Sequence, residues 1–427
     1  MFASNGGTNM KKLFLILTLA LMALTTFVSC QKDPNTPCVN GDHDWKLINK
    51  VAPTCTEEGV NTYECTRCGQ KKTEALAIVE HTLTEGSRIC SICNRAIYKS
   101  LEDFNQNATL ENTKDVINEI TLREHTFTDI AYSEHNSGYT GKGLLIGRTD
   151  NDPLNKYGTQ PAESGKYKFI FKNGTVNSTT TGYENIDNLA KTAVYMLIPG
   201  NSEVTFENVT FNEVFSFGIQ AYTSPWSHLE SLTFKNCTFN GIIIGSSPAK
   251  DITFEGCTFT NYINNTDANN SNPIWMRPRM DSWSGEYPKH LVSMQNIVFK
   301  DNKVSSTRPV KFEWIGMNNQ ALGYQPVLTI LNNSFVMSRE NSANKDNEDK
   351  AVALYLGQKD DNSKFTLYDD GNKVNEGYAL YTTQNPYRKV EGTYILDKDG
   401  NEKEIVAKVW KSQNETFIIK TIPTTTP

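Results

Sequence analysis

From Phe169 onward, apolar and polar positions alternate in a unit that keeps returning. It reads "VTFENVTFNEV" at 204–214, "LTFKNCTFNGI" at 232–242 and "ITFEGCTFTNY" at 252–262. Taking the apolar start as position zero gives Phe169, Val204, Leu232, Ile252, Ile297, Leu328 and Phe365. Two residues on stand Phe171, Phe206, Phe234, Phe254, Phe299, Ile330 and Leu367, with β-branched residues such as Thr205, Thr233 and Thr253 between. That is the period-two signature of a strand with one apolar face. Four residues on come Asn173, Asn208, Asn236, Gly256, Asp301, Asn332 and Asp369, the three residue types that best tolerate a left-handed backbone. Position seven returns to an apolar side chain: Val176, Phe211, Phe239, Phe259, Val304 and Phe335. Each unit therefore predicts strand, one-residue αL bend, strand.

Hairpins of a flat sandwich would need longer reversals and would not hold one αL slot in register. Stacked coils about 4.8 Å apart fit, with ladders of Phe inside and Asn at the bend. The predicted fold class is all-β, a right-handed parallel β-helix. Its unequal repeat intervals are explained by insertions gathered at one corner. Residues 120–385 resemble the pectate-lyase-like β-helix superfamily in this pattern. A helix-like stretch over 100–118 (Leu101, Phe104, Leu110, Val116, Ile117) is expected to cap the first end. "GTYILDKDGNEKEIVAKVW" predicts two strands around a KDGN turn capping the other.

The first thirty residues break the pattern. "MKKLFLILTLALMALTTFVSC" has two lysines, a short apolar run and a small residue before Cys30. The run is a secretion signal rather than a membrane span. It resembles a bacterial lipoprotein signal of Bacteroidota type. That resemblance implies lipidation at Cys30, outer-membrane localisation and, through the following "QKDPNTP", a surface-exposed tether. The expected organisation is 1–30 signal, 31–97 cysteine module, 98–390 β-helix with helical cap, and 391–427 hairpin cap and tail.

Seven of the nine cysteines precede residue 94. The knuckles "CTRC" and "CSIC" have zinc-ribbon spacing, so Cys65, Cys68, Cys90 and Cys93 are candidate ligands of one structural zinc, each thiolate at about 2.3 Å. His43 and His81 are alternative ligands completing a site with the first knuckle. A disulfide framework suits an extracytoplasmic location equally. A segment this short needs a staple of some kind. Residues 43–82 also resemble a short Cys/His repeat of bacterial surface proteins. Cys237 and Cys257 share a ladder position with Val209 and read as core thiols.

Composition narrows the partners. The 427 residues carry a net charge of −6, with 21% charged and 38% hydrophobic. That lacks the basic face nucleic acid requires. The longest insertion, between 252 and 297, gathers Trp275, Arg277, Arg279, Asp281, Trp283 and Tyr287, and a neighbouring one adds Trp226. Aromatic faces stack on sugars and guanidinium groups pair with carboxylates or sulfates, so these residues are candidate ligand-binding groups. The same side chains also suit packing of their own loop. "MRPRMD" departs from the R-x-P-x-x-R of pectate lyases, and "NTD" at 265–267 lacks the other motifs of family 28 polygalacturonases. The expected function is binding of polysaccharide or glycoconjugate at the cell surface. The alternative is a polysaccharide lyase or glycoside hydrolase, for which His228, His290 and Arg279 supply residue types without a geometry.

Overall fold

The computed structural model describes Cys38, Gly41, residues 43–127 and, between 132 and 419, the strands and turns cited below. The chain divides into two compact units, Met1–Glu80 and His81–Pro427. No helix among the described residues is long and apolar enough to cross a membrane.

The first unit is a three-stranded antiparallel sheet of Trp45–Val51, Gly59–Cys65 and Lys71–Leu76, in that order. Its outer strand Trp45–Val51 is exposed along nearly its whole length and slips register between Leu47 and Asn49. A bulge and two lysines on such an edge discourage pairing with another chain. Gly59 closes the first reversal, because a Cβ there would fall 2.5 Å from both the Pro53 nitrogen and the Val51 carbonyl.

The second unit is all-β with a large parallel sheet. Of the described strands, fifteen form one sheet and five another, the latter ordered Ile243–Ser247, Ile274–Pro278, Val310–Ile315, Val352–Gln358 and Ala379–Thr383. Successive repeats pair in parallel, residue for residue. Val204 lies opposite Phe169 and Leu232, and Phe206 lies opposite Phe171 and Phe234. From Thr238 on, each strand of the five-stranded sheet up to Val352–Gln358 falls in chain order between two strands of the long sheet, which pair with their counterparts one repeat on. This pattern is compatible with a parallel β-helix.

The alternation expected from the sequence is what the strands display. Glu203–Asn212 alternates partly exposed and buried positions along its length. Inward phenylalanines form two columns. Phe171–Phe206, Phe206–Phe234 and Phe234–Phe254 stack at 5.3, 5.4 and 4.9 Å between centroids, and Phe211–Phe239 and Phe239–Phe259 at 5.1 and 4.9 Å. Edge-to-face contacts such as Phe234–Phe239 at 5.4 Å tie the columns together. Each such pair adds about 0.5–1.5 kcal/mol beyond its buried area.

The bend is left-handed as the residue types predict, with φ near 55° at Asn173, Asn208, Asn236, Asp301 and Asn332, and 66° at Gly256. Gly256 is required for space as well: a Cβ would lie 2.4 Å from the Asn236 Oδ1. The last repeat differs from the sequence alignment. Leu328 pairs with Leu367, not Phe365, so the bend falls at Gly371 (φ 68°) and Asp369 takes the inward place opposite Ile330. A slip of two residues preserves both faces, and Asp369 and Gly371 are both αL-tolerant types, so only the pairing with Leu328 fixes the register. Asp369 is buried there and accepts a hydrogen bond from the Asn372 amide.

One ladder was not anticipated. The residue just after the bend points inward and donates to the carbonyl two residues before the bend of the preceding repeat. Cys237 Sγ reaches Phe206 O and Cys257 Sγ reaches Phe234 O, each at 3.4 Å. Asn302 reaches Phe254 O at 3.0 Å, Asn333 reaches Phe299 O at 2.7 Å, and Asn372 reaches Ile330 O at 2.6 Å. The asparagines also accept backbone N–H bonds, as Asn302 Oδ1 does from Cys257 and Asn333 Oδ1 from Asn302. Cys237 and Cys257 are thus core thiols, and burial drives the Cys257 thiol further up from its ordinary range.

Two further expectations are adjusted. The stretch 100–118 forms two short helices, Leu101–Asn107 and Leu110–Thr113. Ser100 caps the first, and a Thr109–Asn112 capping box starts the second. Ile117 already belongs to strand Ile117–Phe127. Phe104 does cover the first phenylalanines, edge-on to Phe169 and Phe171 at 5.6 and 6.0 Å. The long insertion between the strands at 252 and 297 is interrupted by a strand of its own, Ile274–Pro278. Near the C-terminus, Tyr394–Leu396 and Glu402–Glu404 pair as the expected antiparallel hairpin.

Candidate functional sites

Two places concentrate chemistry. The first is the Cys/His module, where both C-x-x-C knuckles adopt the same turn. Cys65 N–H bonds Gln70 O at 2.8 Å and Gly69 N–H bonds Cys65 O at 2.9 Å; Cys90 N–H bonds Arg95 O at 2.8 Å and Asn94 N–H bonds Cys90 O at 2.9 Å. The residue after each second cysteine is left-handed, Gly69 at φ 73° and Asn94 at φ 60°. This places two backbone N–H groups on the first sulfur. Burial raises the Cys65 thiol, but the Arg67 and Cys68 N–H groups and His43 outweigh it and bring it down to about 5. At Cys90 burial is likewise outweighed, by the Cys93 and Ile92 N–H groups and His81, giving about 6. Cys38 is pushed up to about 12 by burial and by the neighbouring Cys68 and Cys65 sulfurs.

In the first unit, the ligand atoms of Cys38, His43, Cys65 and Cys68 lie within 4.8 Å of one another. Cys38 Sγ stands 3.6 Å from Cys65 Sγ, and Cys68 Sγ stands 3.4 Å from His43 Nδ1. A tetrahedral ion at about 2.3 Å from sulfur and about 2.0–2.1 Å from nitrogen requires edges of about 3.8 Å (S–S) and about 3.5 Å (S–N). A disulfide requires about 2.05 Å, and none joins the described cysteines. The supports are equally specific: Thr66 donates to Asp44 at 2.7 Å, and the His43 ring packs on Trp45 at 4.7 Å between centroids. Cys/His groups this close are able to bind a metal ion.

In the second unit, His81, Cys90 and Cys93 also hold their ligand atoms within 4.8 Å, with His81 Nδ1 3.5 Å from Cys93 Sγ. Cys65 and Cys68 therefore fall in one group and Cys90 and Cys93 in another. The single site expected to span both knuckles is not what the geometry gathers. Each knuckle has a histidine instead, and Cys38, unassigned in the sequence, joins the first.

The second place is the five-stranded sheet. Ile244, Trp275, Lys311, Tyr355 and Thr382 share one register column across its five strands. At Lys311 and Tyr355 the chain neighbours Val310, Phe312, Leu354 and Leu356 are buried, so these two side chains belong to the opposite face. Lys311 Nζ lies 5.1 Å over the Tyr355 ring. Of the nominated binding residues, Trp275 and Arg277 lie on strand Ile274–Pro278. Trp226, Arg279, Asp281, Trp283 and Tyr287 lie outside the described residues, as do Cys30, His228 and His290. Lys311 and Tyr355 were not nominated; strand register alone puts them in one column with Trp275.

No family model, curated protein or solved structure matches this chain.

Proposed function

We propose that this chain is a lipid-anchored surface protein whose second unit is a right-handed parallel β-helix that binds polysaccharide or glycoconjugate, and whose N-terminal module is held by structural zinc. The residue-for-residue parallel register supports the helix. The tetrahedral edge lengths in the Cys38–His43–Cys65–Cys68 group support zinc, which needs deprotonated thiolates and a neutral imidazole. The leader ending at Cys30 supports the anchor and the location outside the cytoplasm.

The binding reading is carried by the Trp275–Lys311–Tyr355 column. The Tyr355 ring supplies a stacking surface for a sugar. The Lys311 ammonium over it suits an acidic or sulfated unit.

The test mixes the protein with a panel of acidic and neutral polysaccharides and follows chain length and the ultraviolet absorbance of unsaturated sugar ends over hours. Intact polymer should co-elute with the protein, and Trp275→Ala should abolish co-elution while changing unfolding free energy by no more than about 0.5 kcal/mol. Shortened chains would replace the binder with a hydrolase, and rising absorbance would make it a lyase. Absence of both retention and cleavage across the panel would discard the glycan reading.

A further inference from the structure

We infer that Glu119 is the positioning residue of a second metal centre and that it couples ion binding there to the first strands of the long sheet. This rests on the zinc reading above. Glu119 lies on strand Ile117–Phe127, between the buried inward residues Asn118 and Ile120, so alternation turns it to the sheet's outer face. A carboxylate on an outer face ordinarily stands in water, yet Glu119 is only 2% exposed. Three groups surround it. His81 Nε2 lies 2.8 Å from Oε1, Arg95 Nη1 donates to Oε2 at 2.7 Å, and Lys172, from the next repeat, also pairs with Oε1.

The carboxylate only accepts, so His81 meets it as a donor through Nε2–H. That hydrogen bond fixes the tautomer and leaves the Nδ1 lone pair facing Cys93 Sγ, 3.5 Å away. A metal-ligating histidine is oriented in this manner when a carboxylate holds its far nitrogen. Glu119 touches no ligand atom itself; it aims the imidazole. Because Lys172 sits on strand Lys168–Ser178, the same carboxylate joins the histidine to two adjacent strands of the sheet. The His43 group of the first unit has no such carboxylate among its described contacts, which makes it an internal control.

The experiment strips the full chain with a chelator and titrates Co2+ against a chromophoric competitor, reading thiolate-to-cobalt charge transfer and visible d–d bands. Wild type should take up two ions. Glu119→Gln should weaken one of them about 10–100-fold and leave the other unchanged, with its d–d band altered and far-UV circular dichroism retained. Glu119→Asp, which keeps the charge but withdraws it from His81, should fall between the two and serves if Glu119→Gln does not fold. Two ions bound with wild-type affinities in both variants would overturn the inference. No ion bound by the wild type would instead overturn the zinc reading on which it rests.

Discussion

The two units hold themselves together by different means. In the second, stacked phenylalanines and inward aliphatics form a continuous core, with Phe206, Phe234, Phe254 and Phe299 fully buried. In the first, the only buried positions among the described residues are Cys55, Gly59 and Cys65. Its central strand Gly59–Cys65 is half-buried between its ends, and both flanking strands are largely exposed. A sheet with so little apolar burial cannot offset its conformational entropy. What this unit gathers instead is the Cys38–His43–Cys65–Cys68 group. The difference teaches that one chain can combine a region whose stability is spread over repeats with one whose stability rests on a single polar cluster.

The largest expected effect falls on the first unit. Chelation, or Cys65→Ser, should unfold the Trp45–Leu76 sheet outright, since an ion in such a group contributes on the order of 10–16 kcal/mol. Amide exchange resolved by residue should show protection lost over 45–76 and kept over the phenylalanine repeats. Protection surviving chelation would erase the distinction between the units. Next in size, Phe234→Ala should cost about 3–5 kcal/mol, because that ring contacts Phe206, Phe211, Phe239 and Phe254. Denaturant unfolding measures it, and a change below 1 kcal/mol would mean the column is not the second unit's support. The smallest, Asn208→Val, should cost about 1–3 kcal/mol, since a β-branched residue is strained at φ 54°. A neutral result there would show that the bend tolerates shape and that stacking alone sets the register.

Much of the fold was legible because a strand's period of two and an αL slot limited to Gly, Asn and Asp are local properties. The phenylalanine positions, the parallel pairing of repeats and the C-terminal hairpin all follow from them. Both local rules fit two registers at the last repeat: Phe365 with Asp369 at the bend satisfies them as well as Leu367 with Gly371, and only the strand pairing separates the two. The candidate metal ligands were legible as residue types and knuckle spacing. Their partition was not, because which histidine meets which knuckle depends on the path of the intervening strands. Glu119 carried no signal at all, since an acidic residue in an alternating strand reads as a solvated face.

The sequence by itself determined the all-β class, the repeating strand–bend–strand unit and the presence of two thiolate knuckles, since each is encoded within a dozen neighbouring residues. Tertiary structure alone decided which distant side chains meet. It set Cys38 beside Cys65, placed Trp275 in line with Lys311 and Tyr355, enclosed Glu119, and built the ladder from Cys237 to Asn372. Those contacts join residues from different strands and turns, and chain spacing does not encode the distance between them.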